Sequence, residues 1–409
     1  MTSVAYVPLS ELMATKNGSV DPSKYQDEAF DLYSIPAFDR GAPEVADGSA
    51  IGSAKQVVEP QDVLLSKIVP HIRRTWVVGG DRGRRLIASG EWIVFRSPRA
   101  EPGYLRQVLR SDPFHVQFMQ TVAGVGGSLL RARPAQVARI SIPLPPLPEQ
   151  RRIAAILDQA DALRAKRRQA LAQLDSLTQS IFIEMFGDPS RNPKSWPETV
   201  LSKLVRENDT INYGVVQPGD ALDEGIPLVR VGDLVDGEFS STTLKRIDPI
   251  IESAYKRSRL RGDEILVSCV GSIGVTVLAT PAMKGFNIAR AVARIPLADR
   301  ANRIFIASYL QTDAVQNYFT AELRTVTQPT LNIKQIAETK VFSPPLALQE
   351  VFATRIQAVE SLKTTHRAAL AESNALFASL QHRAFAGQLS AGQRPAAFAT
   401  IAPCAPPTP

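Results

Sequence analysis

Two long stretches of the chain carry apolar residues at the seven-residue spacing of a helix that packs along one face. In the first stretch, an apolar line begins at Ile153 and ends at Ile181, and a second line runs three residues behind it. Two such lines are typical of a coiled-coil seam, so the pattern predicts one long helix with a polar break at Arg167. The predicted seam of this helix comprises Ile153, Ile156, Leu163, Leu174, Leu177 and Ile181.

The second stretch repeats the first when Pro344 is aligned with Pro145, and no gap is needed to the end of either stretch. Such a match indicates a duplicated structural unit. Gly187 and Gly387 are predicted to end the helices. At about 36 residues and 54 Å, each helix is too long for one small domain, so the two helices are expected to pack on one another. The alternative is that each helix is a local scaffold for its own domain. The second predicted seam comprises Phe352, Val359, Leu362, Leu376 and Leu380.

The regions in front of the two helices, 1–142 and 190–342, consist of short Val, Ile and Leu runs broken by Gly, Pro, Asp and Asn. This texture predicts short strands and turns. Segment 62–66 resembles segment 264–268, and segments 104–119 and 304–319 both have a helical pattern. The sequence therefore predicts two divergent versions of one mixed fold, with the same scaffold and different loops.

The composition bears on the partner, the location and the bonding chemistry of the protein. The chain has 409 residues, 44% of them hydrophobic, and a formal net charge of +7, which suits a polyanionic partner. Its two cysteines, Cys269 and Cys404, are far apart, so we expect no disulfide framework and no Cys-pair metal site. We therefore expect a cytoplasmic location. No apolar run reaches the length of a membrane span.

Clusters of basic residues are candidate binding positions, because Arg and Lys suit contact with phosphates or guanine edges. A Gly-rich segment, 76–87, is predicted to form a hairpin with three arginines at its tip. For each cluster the alternative is a solvated charged turn. Arg230 lies outside the clusters, and its alternative is a structural role. The candidates are Arg73, Arg74, Arg82, Arg84, Arg85, Arg230, Lys245, Arg246, Lys256, Arg257 and Arg259.

Catalytic motifs are absent from the sequence. It contains no phosphate-binding loop, no Asn/Asp-Pro-Pro-aromatic tetrapeptide of amino-methyltransferases, and no metal-ligand spacing among its four histidines. The sequence therefore predicts a protein without catalysis of its own and without a bound metal or cofactor.

The proline-rich helix entry at 140–153, the exit at 185–189 and the segments 344–349 and 266–274 together resemble the specificity subunits of type I restriction-modification systems. The resemblance covers nearly the whole chain. It implies an α+β fold with two mixed α/β target-recognition domains and two long antiparallel coiled-coil helices related by a pseudo-two-fold. The implied boundaries are 1–144 and 190–343 for the domains, 145–189 and 344–390 for the helices, and 391–409 for a flexible tail.

The resemblance also implies a function. Such a subunit binds a bipartite sequence in double-stranded DNA and directs two modification subunits, which methylate adenine N6 with S-adenosylmethionine. Restriction subunits are further partners. The second copy departs from the pattern at Ala347 and Leu348, which replace the Pro-Glu of the first copy. A stand-alone DNA-binding regulator and a coiled-coil scaffold that binds no DNA are the alternatives.

Overall fold

The computed structural model describes residues 5–15, 17–124, 130–235, 238–241, 244–323 and 329–389. The tail predicted at 391–409 lies outside these residues. The chain divides into two compact units. The first runs to Arg167 and resumes at Ala369, and the second is Arg168–Ala368. Each unit therefore contains one mixed α/β region and half of each long helix.

The first unit has a mixed five-stranded sheet in the order β2-β5-β8-β3-β4, in which only β3 and β8 are parallel. An antiparallel sheet, β7-β6-β9, and the pairs β1-β12 and β10-β11 complete it. The strands are β1 (Tyr6–Pro8), β2 (Ser19–Val20), β3 (Ala29–Tyr33), β4 (Glu44–Asp47), β5 (Lys55–Val57), β6 (Val63–Ser66), β7 (Thr75–Val77), β8 (Arg85–Ala88), β9 (Trp92–Phe95), β10 (Val122–Ala123), β11 (Arg131–Ala132) and β12 (Ser141–Pro143).

The second unit contains the four-stranded antiparallel sheet β14-β22-β19-β20 and the sheet β18-β15-β21, with β15 and β21 parallel. The pairs β13-β23 and β16-β17 complete it. The strands are β13 (Glu198–Val200), β14 (Asn212–Tyr213), β15 (Ile226–Val229), β16 (Leu234–Val235), β17 (Glu238–Phe239), β18 (Lys245–Ile247), β19 (Ile265–Ser268), β20 (Thr276–Leu278), β21 (Asn287–Ile288), β22 (Val292–Ile295) and β23 (Lys340–Phe342).

The structure confirms the two long helices, each of 40 residues. Gly187, at φ +84°, follows the last residue of the first, and Gly387, at φ +69°, lies just beyond the second. None of the helices in the described ranges is apolar enough, over a sufficient length, to cross a bilayer. The helices are α1 (Ile35–Arg40), α2 (Pro102–Leu109), α3 (Asp112–Met119), α4 (Pro134–Val137), α5 (Leu147–Phe186), α6 (Pro249–Ser253), α7 (Arg303–Leu310), α8 (Asp313–Ala321), α9 (Ile333–Ala337) and α10 (Leu346–Phe385).

In the core of the first unit, the start of α5 packs with the end of α10: Ile153 and Leu157 belong to the same buried cluster as Leu380 and Phe385. In the core of the second unit, the end of α5 packs with the start of α10. There the Phe182 ring lies 5.6 Å from the Phe352 ring, centroid to centroid. Within each unit the two helices therefore run in opposite directions.

The structure corrects the predicted seam in both helices. In each helix the first apolar line, which starts at Ile153 or Phe352, faces the core. The second core-facing line lies four residues behind the first rather than three, so Leu157 and Ile356 are buried. In the second unit this line carries the buried Lys363, whereas the predicted Leu177 and Leu362 are 42% and 52% exposed. Ile153, Phe352, Val359 and Leu380 are buried, while Ile156, Leu163, Leu174, Ile181 and Leu376 are partly buried.

Candidate nucleic-acid interface

In each unit a loop follows a strand that lies between two antiparallel neighbours. The strands β6 and β19 are both flanked by two antiparallel neighbours, and each is preceded by a buried carboxylate. Asp62 forms a bidentate pair with Arg96, with N–O distances of 2.7 Å. Glu264 pairs with Arg294 at 3.2 Å. This shared construction supports the predicted resemblance between segments 62–66 and 264–268.

The loops that follow these strands, 67–74 and 269–275, are attached to the scaffold in the same way. Ile68 forms an isolated bridge with Arg131, and Val270 forms one with Thr330. The next residue in each loop has a left-handed backbone: Val69 has φ +46° and Gly271 has φ +76°. Glycine adopts this conformation readily and a β-branched residue such as Val69 rarely does, so the recurrence of the turn at the same place in both copies indicates that it belongs to the shared scaffold. We refer to segments 67–74 and 269–275 as the paired loops.

The paired loops differ in chemistry. The first carries Lys67, His71 and two arginines, and the second carries Ser272 and Ile273 between glycines. Among the described residues, the Lys67 side chain has no hydrogen-bond or ion-pair partner. The sequence did not single out Lys67 or the second loop as DNA contacts, although segment 266–274 carried part of the resemblance and the repeat of segments 62–66 and 264–268 pointed to the positions just after them.

Two of the candidate arginines in the first loop are held by carboxylates. Arg74 is largely buried and bidentate to Asp39, at 2.8 and 2.9 Å. Arg73 pairs with Asp112 on α3 and donates to the Arg110 carbonyl. These pairs fix the end of the loop where it enters β7, which leaves Lys67 and His71 as its basic positions without a carboxylate partner among the described residues.

The predicted hairpin at 76–87 is absent. β7 pairs with β6, whereas β8 pairs with β3 and β5 in the other sheet, so the segment between them crosses from one sheet to the next. Arg85 is the first residue of β8 rather than a tip residue. The local pattern of two apolar runs around glycines matched a hairpin, but β7 pairs with the strand before it in the chain and β8 pairs with the more distant β3 and β5.

The three arginines of this crossing differ in their contacts. Arg84 donates to the buried Asp31 at 2.7 Å. Arg85 is bidentate to Glu28, and its guanidinium lies 4.1 Å above the Tyr25 ring. The hydrogen bonds from Arg85 hold the pKa of Glu28 below its ordinary value. Arg82 is exposed and has no side-chain partner within the described part of the chain.

In the second unit, a hydrogen-bonded network holds the turn after α6. Glu252 is buried and accepts two hydrogen bonds from Arg259 and one of 3.0 Å from Asn287. The bonds from Arg259 lower the pKa of Glu252, which outweighs the opposite effect of burial. Lys256 and Arg257 lie on this turn, exposed, and neither side chain forms a hydrogen bond or ion pair with the residues described.

The remaining candidates of the second unit bond to their own scaffold. Arg230 caps a short turn and is bidentate to the buried Asp233. Lys245 and Arg246 on β18 donate to the carbonyls of Gly219 and Gly225. Six candidates are thus paired with carboxylates and two with carbonyls, so Arg82, Lys256 and Arg257 are the unpaired cations of the predicted set. Contact with DNA stays a prediction for all eleven.

The described residues contain no group of three or more His, Cys, Asp or Glu side chains that could hold a metal ion. Cys269 is buried at the base of the second paired loop, and burial raises the pKa of its thiol to about 12. The arrangement offers charge, hydrogen-bond donors and fixed loops, which is the chemistry of recognition.

Comparisons with known proteins agree with this picture. The family model described as "Type I restriction modification DNA specificity domain" matches residues 115–174 and 214–372. The type I restriction enzyme EcoBI specificity subunit of Escherichia coli is 32% identical over an alignment of 281 residues, which covers 62% of this chain and 59% of that protein. The alignment thus spans less than two thirds of the relative's length.

Two solved structures share the fold over most of the chain. One comes from work on complex assembly and conformational transition of the type I R-M system. It has a TM-score of 0.56 and 22% identity, and covers 95% of this chain and 99% of that chain. The other, a type I restriction-modification system S subunit from M. genitalium, has a TM-score of 0.56 and 12% identity, with 94% and 97% coverage. The chain therefore belongs to the family of type I restriction modification DNA specificity domains.

Proposed function

We propose that the chain is the non-catalytic specificity subunit of a type I restriction-modification complex and reads a bipartite sequence in double-stranded DNA. The observation that carries the proposal is the pair of loops. Both loops are attached to the scaffold by the same kind of bridge and contain a left-handed turn at the same place, but their side chains differ. A duplicated scaffold with divergent loops suits a protein that reads two different half-sites. The family match favours this function over a stand-alone regulator.

The contacts proposed for DNA follow from the charges. Phosphates would bind the unpaired cations Arg82, Lys256 and Arg257, because these side chains need not give up an internal carboxylate. Base edges would be read by the paired loops. Arginines that are held by a carboxylate keep free N–H groups and a fixed orientation, which favours bidentate recognition of guanine.

The long helices would form an antiparallel coiled coil that separates the two half-sites by an unread spacer. Each helix has 40 residues, a length of about 60 Å at 1.5 Å per residue. Two modification subunits carrying S-adenosylmethionine would methylate adenine within the half-sites, and restriction subunits would join them. We place the complex in the cytoplasm, with the DNA.

The test compares the chain alone with the reconstituted complex. The purified chain, mixed with S-adenosylmethionine and a DNA library, is expected to methylate nothing. Addition of the cognate modification subunit should methylate adenine at one bipartite motif, mapped by sequencing of methylated sites. Methyl transfer by the chain alone, or a complex that methylates a single continuous motif, would contradict the proposal.

A further inference from the structure

A buried glutamine occupies the fourth position of each long helix. Gln150 and Gln349 are 1% and 2% exposed. In the first unit, Gln150 Nε2 donates to the carbonyls of Arg99 and Pro145 at 2.9 and 2.7 Å, and its Oε1 accepts from the Glu101 amide at 2.8 Å. A side chain with both a donor and an acceptor is thus fully used.

The second unit repeats two of these three contacts. Gln349 Nε2 donates to the Pro344 carbonyl at 2.8 Å, and its Oε1 accepts from the Asn302 amide at 2.9 Å. Glu101 and Asn302 are the N-cap residues of α2 and α7. In both units, therefore, one amide side chain bonds the long helix to the N-cap residue of the corresponding short helix of the mixed region. We call Gln150 and Gln349 the helix latches.

Each helix latch is connected to a paired loop through packed elements of its own unit. Helix α2 packs on β6 and β7, the strands that enter and leave the first loop. Helix α7 packs on β20, the strand that leaves the second loop. A change at a latch would therefore be transmitted to the loop through one helix and one strand.

Only an amide satisfies this arrangement. A glutamate would supply no donor for the carbonyls that each glutamine bonds, and a methionine would leave the amide of Glu101 or Asn302, each partly buried, without this acceptor. A buried polar group without a partner costs about 1–3 kcal/mol. The helices need no glutamine for their own formation, since any good helix former would serve at this position.

We infer that Gln150 and Gln349 are positioning residues that set the angle of each reading loop to its long helix, and thereby the spacer length that the complex accepts. The inference rests on the proposed function. An angular error at a loop displaces its contacts along the duplex, so a looser latch should admit spacers one base pair longer or shorter. The bases read within each half-site should stay the same, because the loops themselves are intact.

The test uses Gln150→Met and Gln349→Met in the full chain, assembled with the cognate modification subunit. Methionine keeps the side-chain volume and helix propensity and removes the hydrogen bonds. The DNA library holds both half-sites and varies the spacer. For each variant, methylation at altered spacers relative to the native spacer should rise about fivefold, the effect of one ordinary hydrogen bond. The matched controls are Gln159→Met and Gln357→Met, exposed positions on the same helices, which should leave the ratio unchanged.

A ratio equal to that of the controls would overturn the inference. A uniform fall in methylation at every spacer would also overturn it, because a merely structural role predicts that result. If the wild-type complex does not methylate a bipartite site, the proposed function itself fails, which is a distinct outcome.

Hydrogen exchange of the full chain tests the coupling without DNA or partners. In Gln150→Met, the Glu101 amide and the loop 67–74 should both exchange faster than in the wild type. Unchanged exchange in that loop would overturn the inference. Should the methionine variant not fold, Glu101→Pro removes the same amide donor from the other side, since Glu101 has φ −68°, a value that proline adopts.

Discussion

Arg257 and Arg259 are two residues apart on one turn, and their contacts predict opposite effects of substitution. Arg257→Ala removes an exposed, unpaired cation, so the free energy of unfolding should change by less than about 0.5 kcal/mol. Binding should weaken for all DNA sequences, and the slope of log K against log salt should fall by about one unit. Filter binding over a salt series measures this slope, and an unchanged slope would place Arg257 away from phosphate.

Arg259→Ala should instead destabilise the protein, because the buried Glu252 loses its principal donor. Because Arg259 is half-exposed, the free energy of unfolding should fall by only about 1–2 kcal/mol. The lowered pKa of Glu252 means that this stabilisation is present above the ordinary value of 4.5 and is lost as pH falls through the lower folded value. Urea unfolding of both proteins should therefore give a difference at pH 7 that shrinks in acid. A difference independent of pH would contradict the assigned ion pair.

The left-handed turn of the paired loops can be tested at Gly271. A Cβ at Gly271 would meet open space, so its backbone angle alone opposes substitution. Gly271→Ala should lower the free energy of unfolding by about 1–2 kcal/mol. Gly232→Ala is the control, since Gly232 also faces open space but has an ordinary φ. Equal effects of the two substitutions in urea unfolding would show that the turn relaxes.

Residue-level contacts were the least predictable from the sequence. Clusters of arginine are visible as letters, but their carboxylate partners, such as Glu28 for Arg85, lie far away in the chain. Ion pairing at such distances depends on the sheet order, which no local pattern contains. The sequence therefore predicted which cations exist and could not predict which of them are unpaired.

At the scale of the helical elements, the buried Lys363 replaces an apolar residue in the helix pair of the second unit. Its ammonium lies 2.8 Å from both Asp175 and Glu360. Burial acts to lower the pKa of Lys363, but the two carboxylates outweigh it and the net shift is upward. The charge is therefore retained between the helices.

Lys363→Met should be neutral or stabilising by about 1 kcal/mol at pH 7, because burying a charge costs desolvation that an apolar side chain avoids. Alanine at both Asp175 and Glu360 should destabilise by about 3 kcal/mol, since the buried ammonium is left unpaired. Because the folded pKa is raised, the contribution of the ion pair is present below the ordinary value of 10.5 and is lost as pH rises through the folded value. Thermal unfolding at pH 7 and 11 measures both effects, and a strongly destabilised Lys363→Met would refute them.

The long helices themselves were predictable, because heptad spacing, prolines before the first turn and glycines after the last are local signals. The phase of the seam was not. Lines of residues at i+3 and i+4 lie close together on a helix, and apolar counting chose the line with more leucines. The true line contains Lys363, which an apolar pattern cannot reveal.

At the scale of the whole molecule, the proposed function predicts that the two mixed regions are exchangeable. Replacing 190–342 by the equivalent region of a relative should change one half of the methylated motif and leave the other half and the spacer intact. Methylated-site sequencing of the exchanged complex gives both halves at once. A simultaneous change in both halves would mean that the regions read DNA jointly.

The division of the long helices between the units has a consequence for synthesis on the ribosome. The second unit is one continuous stretch, Arg168–Ala368, and all of it has left the peptidyl-transferase centre before the end of α10 is made. The core around Leu9 and Leu12 also contains Leu380, Ala384 and Phe385, which are translated after the whole of the second unit. Domains usually fold in the order in which they emerge. Because the core of the first unit includes the last turns of α10, we expect the second unit to complete its core first and the apolar residues of the nascent first region to stay exposed for longer.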